Sequence, residues 1–148
     1  MRIVIQRVKQ AVVEVDGAIT GQIGIGLLVF VGVGKEDEYS DADLLVGKIV
    51  KLRIFNDQEG KMNLDVRQVG GALLIVSQFT LYGSISKGTR PSFDQAAPLE
   101  KAQTLYDYFV QTARLQGLKV ETGIFRASMQ VKLINDGPVT ILSDSKTL

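Results

Sequence analysis

An almost unbroken apolar run from Ile23 to Val33, rich in Val, Ile and Phe, decides more about this chain's architecture than any other segment. A strand with one wet face alternates apolar and polar side chains, whereas a strand covered on both faces has no polar side to show. The run therefore predicts a central strand between two packed layers. Gly24 to Gly34 is also the longest apolar stretch, and its eleven Gly-punctuated residues fall well below the ~20 that cross a bilayer as a helix. At the amino terminus, Ile3-Val4-Ile5 is too short for the hydrophobic region of a signal peptide. No membrane segment or export signal is legible, and a cytoplasmic location is expected.

Around that strand the periodicities alternate between two and 3.6. Residues 2 to 15 read as an amino-terminal strand interrupted near Lys9-Gln10, and Asp16-Gly17 is a hairpin signal leading into Ala18 to Gly21. Ser40 with Asp43 suggests a capping box, and Leu45, Ile49 and Leu52 then recur at helical spacing, which predicts a helix over 41–54. Asn56 to Gly60 reads as a turn, Ala72 to Ser77 as a strand, and Gly83 to Asp94 as a polar loop. A longer helix is expected from Leu99 to Leu115, with Leu99, Ala102, Leu105 or Tyr106, Phe109 and Ala113 on its inner stripe. Strands are expected again at Lys119 to Thr122, Met129 to Ile134 and Val139 to Leu142. This order lacks the regular alternation of a doubly wound sheet. It predicts an α+β fold: one domain over 1–148, with a curved, mixed, mostly antiparallel sheet and two main helices. A chain of this length buries about 68–70% of its unfolded surface and needs no disulfide or metal to hold it.

The chain has 17 basic and 16 acidic side chains, and neither His nor Cys. That composition excludes a Ser-His-Asp triad, a Cys-His pair, a His/Cys zinc site and an imidazole acid or base. A formal charge of +1 argues against a general nucleic-acid coat, which needs a pronounced basic footprint. Gly21 to Gly26 only superficially resembles a dinucleotide loop, because strand-like residues follow where the phosphate-binding helix should start. Gly34-Lys35 lacks the rest of a phosphate loop, and Asp57 to Gly60 lacks the ladder of oxygen ligands of a calcium loop.

Two segments look chemical. Ser77-Gln78-Phe79-Thr80 ends a buried strand, where a sheet hands side chains and unpaired N–H groups to a cleft. Asn135-Asp136-Gly137-Pro138-Val139-Thr140 lies between two predicted strands, and its local pattern alone reads as a tight turn. Local chemistry decides neither case.

The chain resembles the D-aminoacyl-tRNA deacylases of the bacterial and eukaryotic type. The likeness runs from Met1–Val8 through Gly60-Lys61-Met62-Asn63, Ser77-Gln78-Phe79-Thr80-Leu81 and Gly88-Thr89-Arg90-Pro91-Ser92-Phe93 to Asn135–Thr140, and so covers essentially the whole length. One departure stands out: the family usually has Phe-Gly-Ala where this chain has Phe125-Arg126-Ala127. The resemblance implies a homodimer that hydrolyses the ester between a D-amino acid, or glycine, and the 3′-terminal adenosine of tRNA, and that rejects L-aminoacyl substrates. It implies catalysis at Ser77, Gln78, Phe79 and Thr80. A cis Gly137-Pro138 pair from the partner subunit would select the chirality, held in orientation by Arg7.

By the same resemblance, Ala102, Phe125 and Met129 would line an adenosine pocket, although for any one of them core packing is the commoner explanation. Lys87, Arg90, Arg126 and Lys132 are candidate tRNA contacts, against a plain reading as solvated surface. Thr80 has no adjacent base to activate it as a nucleophile. The favoured mechanism uses main-chain N–H groups near Phe79 and Thr80 as oxyanion donors, and the resemblance implies that the ribose 2′-hydroxyl helps to activate water or relay a proton. The expected partners are the acceptor end of an aminoacyl-tRNA and a second copy of the chain, with no cofactor, metal, membrane or DNA. The alternative from another class is a nonenzymatic module that binds adenosine or an RNA 3′ end.

Overall fold

The computed structural model describes all residues, Met1–Leu148. The first strand, β1 (Arg2–Val15), is the hub of a six-stranded sheet. Along one edge its first half pairs antiparallel with β3 (Gly26–Gly32) and its second half with β2 (Ala18–Ile23); along the other edge it pairs antiparallel with β8 (Gln130–Asp144). Beyond β3 the sheet continues in parallel through β6 (Ala72–Ser77) to β7 (Val120–Thr122). The interior of β1 is unbroken at Lys9-Gln10, because Gln10 is paired to Ile134 and only its register against β8 shifts there.

The apolar run is two elements rather than one. Ile23 closes β2, the chain bends at Gly24-Ile25 with the Ile25 side chain exposed, and β3 begins at Gly26. The expectation of two-sided burial holds for β3. Leu27, Val29 and Val31 enter one core while Leu28 enters another; in β6, Leu73 and Ile75 join the first and Ala72, Leu74 and Val76 the second. The first core lies under α1 (Tyr39–Ile49) and α2 (Leu99–Leu115), through Leu45, Ile49, Phe109 and Ala113 among others. The second is the inside of a sheet so curved that β7 returns beside β2. A side chain at Gly21 would strike the Thr122 carbonyl, so the nearly barrel-like closure requires glycine there.

The Asp16-Gly17 turn has φ of 51° and 80°, the left-handed pair that joins two twisted antiparallel strands. Helix α1 starts earlier than expected. Glu38, not Ser40, precedes its first turn, and the Glu38 backbone N–H donates to Asp41 Oδ2 at 2.7 Å. It ends at Ile49, and a short hairpin of β4 (Phe55–Asn56) and β5 (Met62–Leu64) brackets the expected turn. Helix α2 spans the expected residues, but Leu99, in its first turn, is half exposed, and Val110 joins Phe109 and Ala113 among the buried residues. The two strands expected after residue 128 are one long strand, β8.

Candidate active site

Parallel strands β3 and β6 end side by side, and their carboxyl ends form the floor of a cavity of about 510 Å³. The Gln78 N–H makes the last ladder bond, to the Val31 carbonyl at 2.7 Å, and the chain then turns into a single 3-10 turn, Phe79–Tyr82. Because that turn begins at Phe79, the N–H groups of Phe79 and Thr80 have no acceptor within it. Ser77, Gln78 and Phe79 line one end of the cavity, and the Gln78 side-chain amide donates to Thr80 Oγ1. The Phe79 ring is exposed on its outer side and meets Phe93 edge-on at 4.9 Å.

The remaining walls are largely apolar. Ala102 and Tyr106 come from α2, and Phe125, Ala127 and Met129 from the segment before β8. Tyr106 donates its hydroxyl to the Ile75 carbonyl at 2.8 Å, and burial pushes its phenol well above the usual range, so it stays a neutral donor. Arg126 is the single charged residue in the lining. It is exposed, makes no ion pair, and holds φ at 66°. An L residue in that left-handed region costs roughly 1–2 kcal/mol, a strain that glycine would not bear.

A second feature lies on β8. Opposite Arg7, the register jumps from Thr140 at Gln6 to Asn135 at Val8, so residues 136–139 are looped out of the ladder. Asn135 closes the loop: it accepts from the Val139 N–H at 2.8 Å through Oδ1 and donates to the Val139 carbonyl at 3.0 Å through Nδ2. The Gly137–Pro138 bond within it is cis. Arg7 is buried beneath, donating from Nε to the Asp136 carbonyl at 2.7 Å and from Nη1 to the Ile54 carbonyl and Asn56 Oδ1. Turn residues here do not reverse the chain, because pairing to β1 resumes in the same direction on both sides.

The structure thus brings Ser77, Gln78, Phe79, Ala102, Phe125, Arg126 and Met129 to one cavity, with Thr80 adjacent in the turn. Gly137 and Pro138 do not line the cavity of their own chain. Lys87 and Arg90 lie exposed in the loop outside it, and Lys132 is paired with Glu14 at 2.8 Å. Sequence reasoning missed Val33, Ala96, Ala97 and Ala127 as wall residues. Ala97 is placed by its N–H bond to the Val33 carbonyl at 2.9 Å, a long-range pairing that no local pattern encodes.

The fold has solved counterparts. The c-Myc DNA Unwinding Element Binding Protein aligns over 97% of this chain and 98% of its own, with a TM-score of 0.91 and 39% identity. A probable eukaryotic D-amino acid tRNA deacylase aligns over 96% and 97% with a TM-score of 0.83; at 19% identity it speaks for the fold. In sequence, D-aminoacyl-tRNA deacylases from Anaeromyxobacter dehalogenans (strain 2CP-C) and Koribacter versatilis (strain Ellin345) are 59% and 60% identical, covering 100% and 99% of this chain and 99% and 98% of theirs. These relatives set the class, a hydrolase acting on ester bonds. A family model described as D-Tyr-tRNA(Tyr) deacylase matches residues 4–144. The chain belongs to the D-aminoacyl-tRNA deacylase family, and its reaction is the hydrolysis of D-aminoacyl-tRNA.

Proposed function

We propose that this reaction is chiral proofreading carried out by main-chain groups at sites shared between two copies of the chain. The observation that carries the proposal is the pair of N–H groups, at Phe79 and Thr80, left without acceptors in their turn at the polar end of an apolar cavity. These donors stabilise the oxyanion that forms as water attacks the ester carbonyl. The terminal adenosine occupies the cavity between Ala102, Phe125 and Met129. Its 2′-hydroxyl, beside the ester, helps to activate the attacking water. Gly137-Pro138 of one chain stands over the partner's Ser77–Thr80 segment, leaving room for a hydrogen but not for an L side chain, so D-aminoacyl and glycyl esters are accepted. The exposed apolar side chains of Phe79, Ile134 and Leu142 are surface that a second copy would cover.

The test is incubation of the protein with matched D- and L-tyrosyl-tRNA. Release from the D form alone is expected; binding of both without release would favour the RNA-end binding module, and equal release would remove the chiral role. Thr80→Ala is expected to keep kcat within about tenfold, since an unactivated hydroxyl is a poor nucleophile. A collapse of kcat with KM unchanged would make Thr80 the nucleophile.

Lys87, Arg90, Arg126 and Lys132 are proposed as phosphate contacts, with Arg126 foremost because its charge is unpaired at the cavity mouth. Arg126→Gly is expected to raise KM for D-aminoacyl-tRNA about tenfold while the melting temperature holds or rises, because glycine relieves the left-handed strain. An unchanged KM would return Arg126 to plain surface.

A further inference from the structure

The 3-10 turn that offers the Phe79 and Thr80 N–H groups is itself gripped from behind by residues outside the cavity. Arg2, at the start of β1, donates from Nη1 to the Leu81 carbonyl at 3.1 Å and lays its guanidinium over the Tyr82 ring at 4.5 Å. Its Nε donates to Asp144 Oδ2 at 2.9 Å, which ties the guanidinium to the end of β8. The Tyr82 ring is buried, and its hydroxyl donates to Asp37 Oδ2 at 3.3 Å. Asp37 in turn accepts from the Gly34 N–H at 2.6 Å and from the Met1 ammonium at 2.6 Å. Burial, helped by the nearby Asp37 and Asp144 charges, pushes the Tyr82 phenol far above its usual range, so it remains a donor.

The space has been cleared for this arrangement. A Cβ on Gly34 would lie 2.6 Å from the Tyr82 hydroxyl, and one on Gly32 would lie 3.0 Å from both the Gln78 carbonyl and Leu81 Cβ. Two glycines at the end of β3 thus let the turn sit directly against the sheet. Nothing in this set lines the cavity.

We infer that Arg2 and Tyr82 are positioning residues for deacylation: they hold the Leu81-Tyr82 end of the turn so that the N–H groups at its Phe79-Thr80 end point where the oxyanion forms. The inference rests on the main-chain oxyanion reading above. Oxyanion donors act only within a narrow distance of the developing charge, and a displacement of about 1 Å costs on the order of 100-fold in rate. A loosened turn therefore lowers kcat. The walls proposed to hold the adenosine, from α2 and the segment before β8, keep their hold, and KM stays.

The experiment compares D-tyrosyl-tRNA hydrolysis by the wild type, Arg2→Ala and Tyr82→Phe under single-turnover and steady-state conditions. Wild-type release from the D form is the control for the underlying reading, and its absence would sink that reading before the variants are compared. With the control in place, Arg2→Ala is expected to lose tenfold or more in kcat with KM within twofold. Tyr82→Phe keeps the ring under Arg2 and removes only the hydroxyl, so a severalfold loss in kcat at constant KM is expected. It also carries the test if Arg2→Ala does not fold. An unchanged kcat in a folded Arg2→Ala or Tyr82→Phe, even with a lower melting temperature, overturns the inference, as does a loss confined to KM.

Discussion

Gly137→Ala is expected to lower kcat/KM for D-aminoacyl-tRNA at least about 100-fold, the scale of a displacement of roughly 1 Å in a reacting constellation. A Cβ at this position would strike the Val139 backbone nitrogen and lie 2.7 Å from Val139 Cγ2. That nitrogen cannot retreat freely, because its N–H is held by Asn135 Oδ1 at 2.8 Å and the Asp136 carbonyl by Arg7 Nε at 2.7 Å. The loop must therefore move as a unit, and with it the wall proposed to judge chirality. Initial rates on D- and L-tyrosyl-tRNA, together with a thermal melt, check this. Wild-type rates and an unchanged D/L ratio would show that residues 136–139 stand apart from the reaction.

Asp37→Ala is expected to cost about 3 kcal/mol of stability or more, in line with the ~3–5 kcal/mol that follows removal of one partner from a buried pair. Asp37 is 2% exposed and the Met1 ammonium it faces is wholly buried. Truncation leaves a buried positive charge with Ser145 Oγ at 2.6 Å and only the more distant Asp144 Oδ1, at 3.9 Å, as a counter-charge, and also strips the Gly34 N–H and the Tyr82 hydroxyl of their acceptor. For a chain of this size that loss corresponds to a fall of about 10 °C in melting temperature. A shift of only a degree or two would mean that the amino terminus is solvated and the cluster contributes little.

The legible parts of the fold were those with strong local periodicity or turn chemistry. Helix α2 and strand β6 begin and end where their patterns do, since apolar spacing of 3.6 or a short Val/Ile/Leu run between polar flanks leaves little choice. The apolar run misled at Gly24-Ile25, because hydrophobicity cannot distinguish one long strand from two that share a core, and only the exposed Ile25 betrays the bend. Asn135–Pro138 misled in the opposite sense. Asp-Gly-Pro is turn punctuation, yet β1 is long enough to pair with residues on both sides of it, so the chain loops out and returns to the same ladder. Ser77–Thr80 were legible as a site only as a strand end and through family resemblance. The Arg2, Tyr82 and Asp37 cluster behind them was not, because its members come from three distant segments.

From the order of residues alone came the absence of imidazole and thiol chemistry, the two helices, a strand sealed on both faces, and the family. These are properties of composition and short-range pattern. The tertiary structure alone decided which carbonyl Arg7 holds, what seats Ala97 against Val33, and what steadies the turn at Phe79–Tyr82. Each of those depends on atoms far apart in the chain meeting within hydrogen-bond distance, and such meetings are set by the curvature and register of the sheet, which no local pattern records.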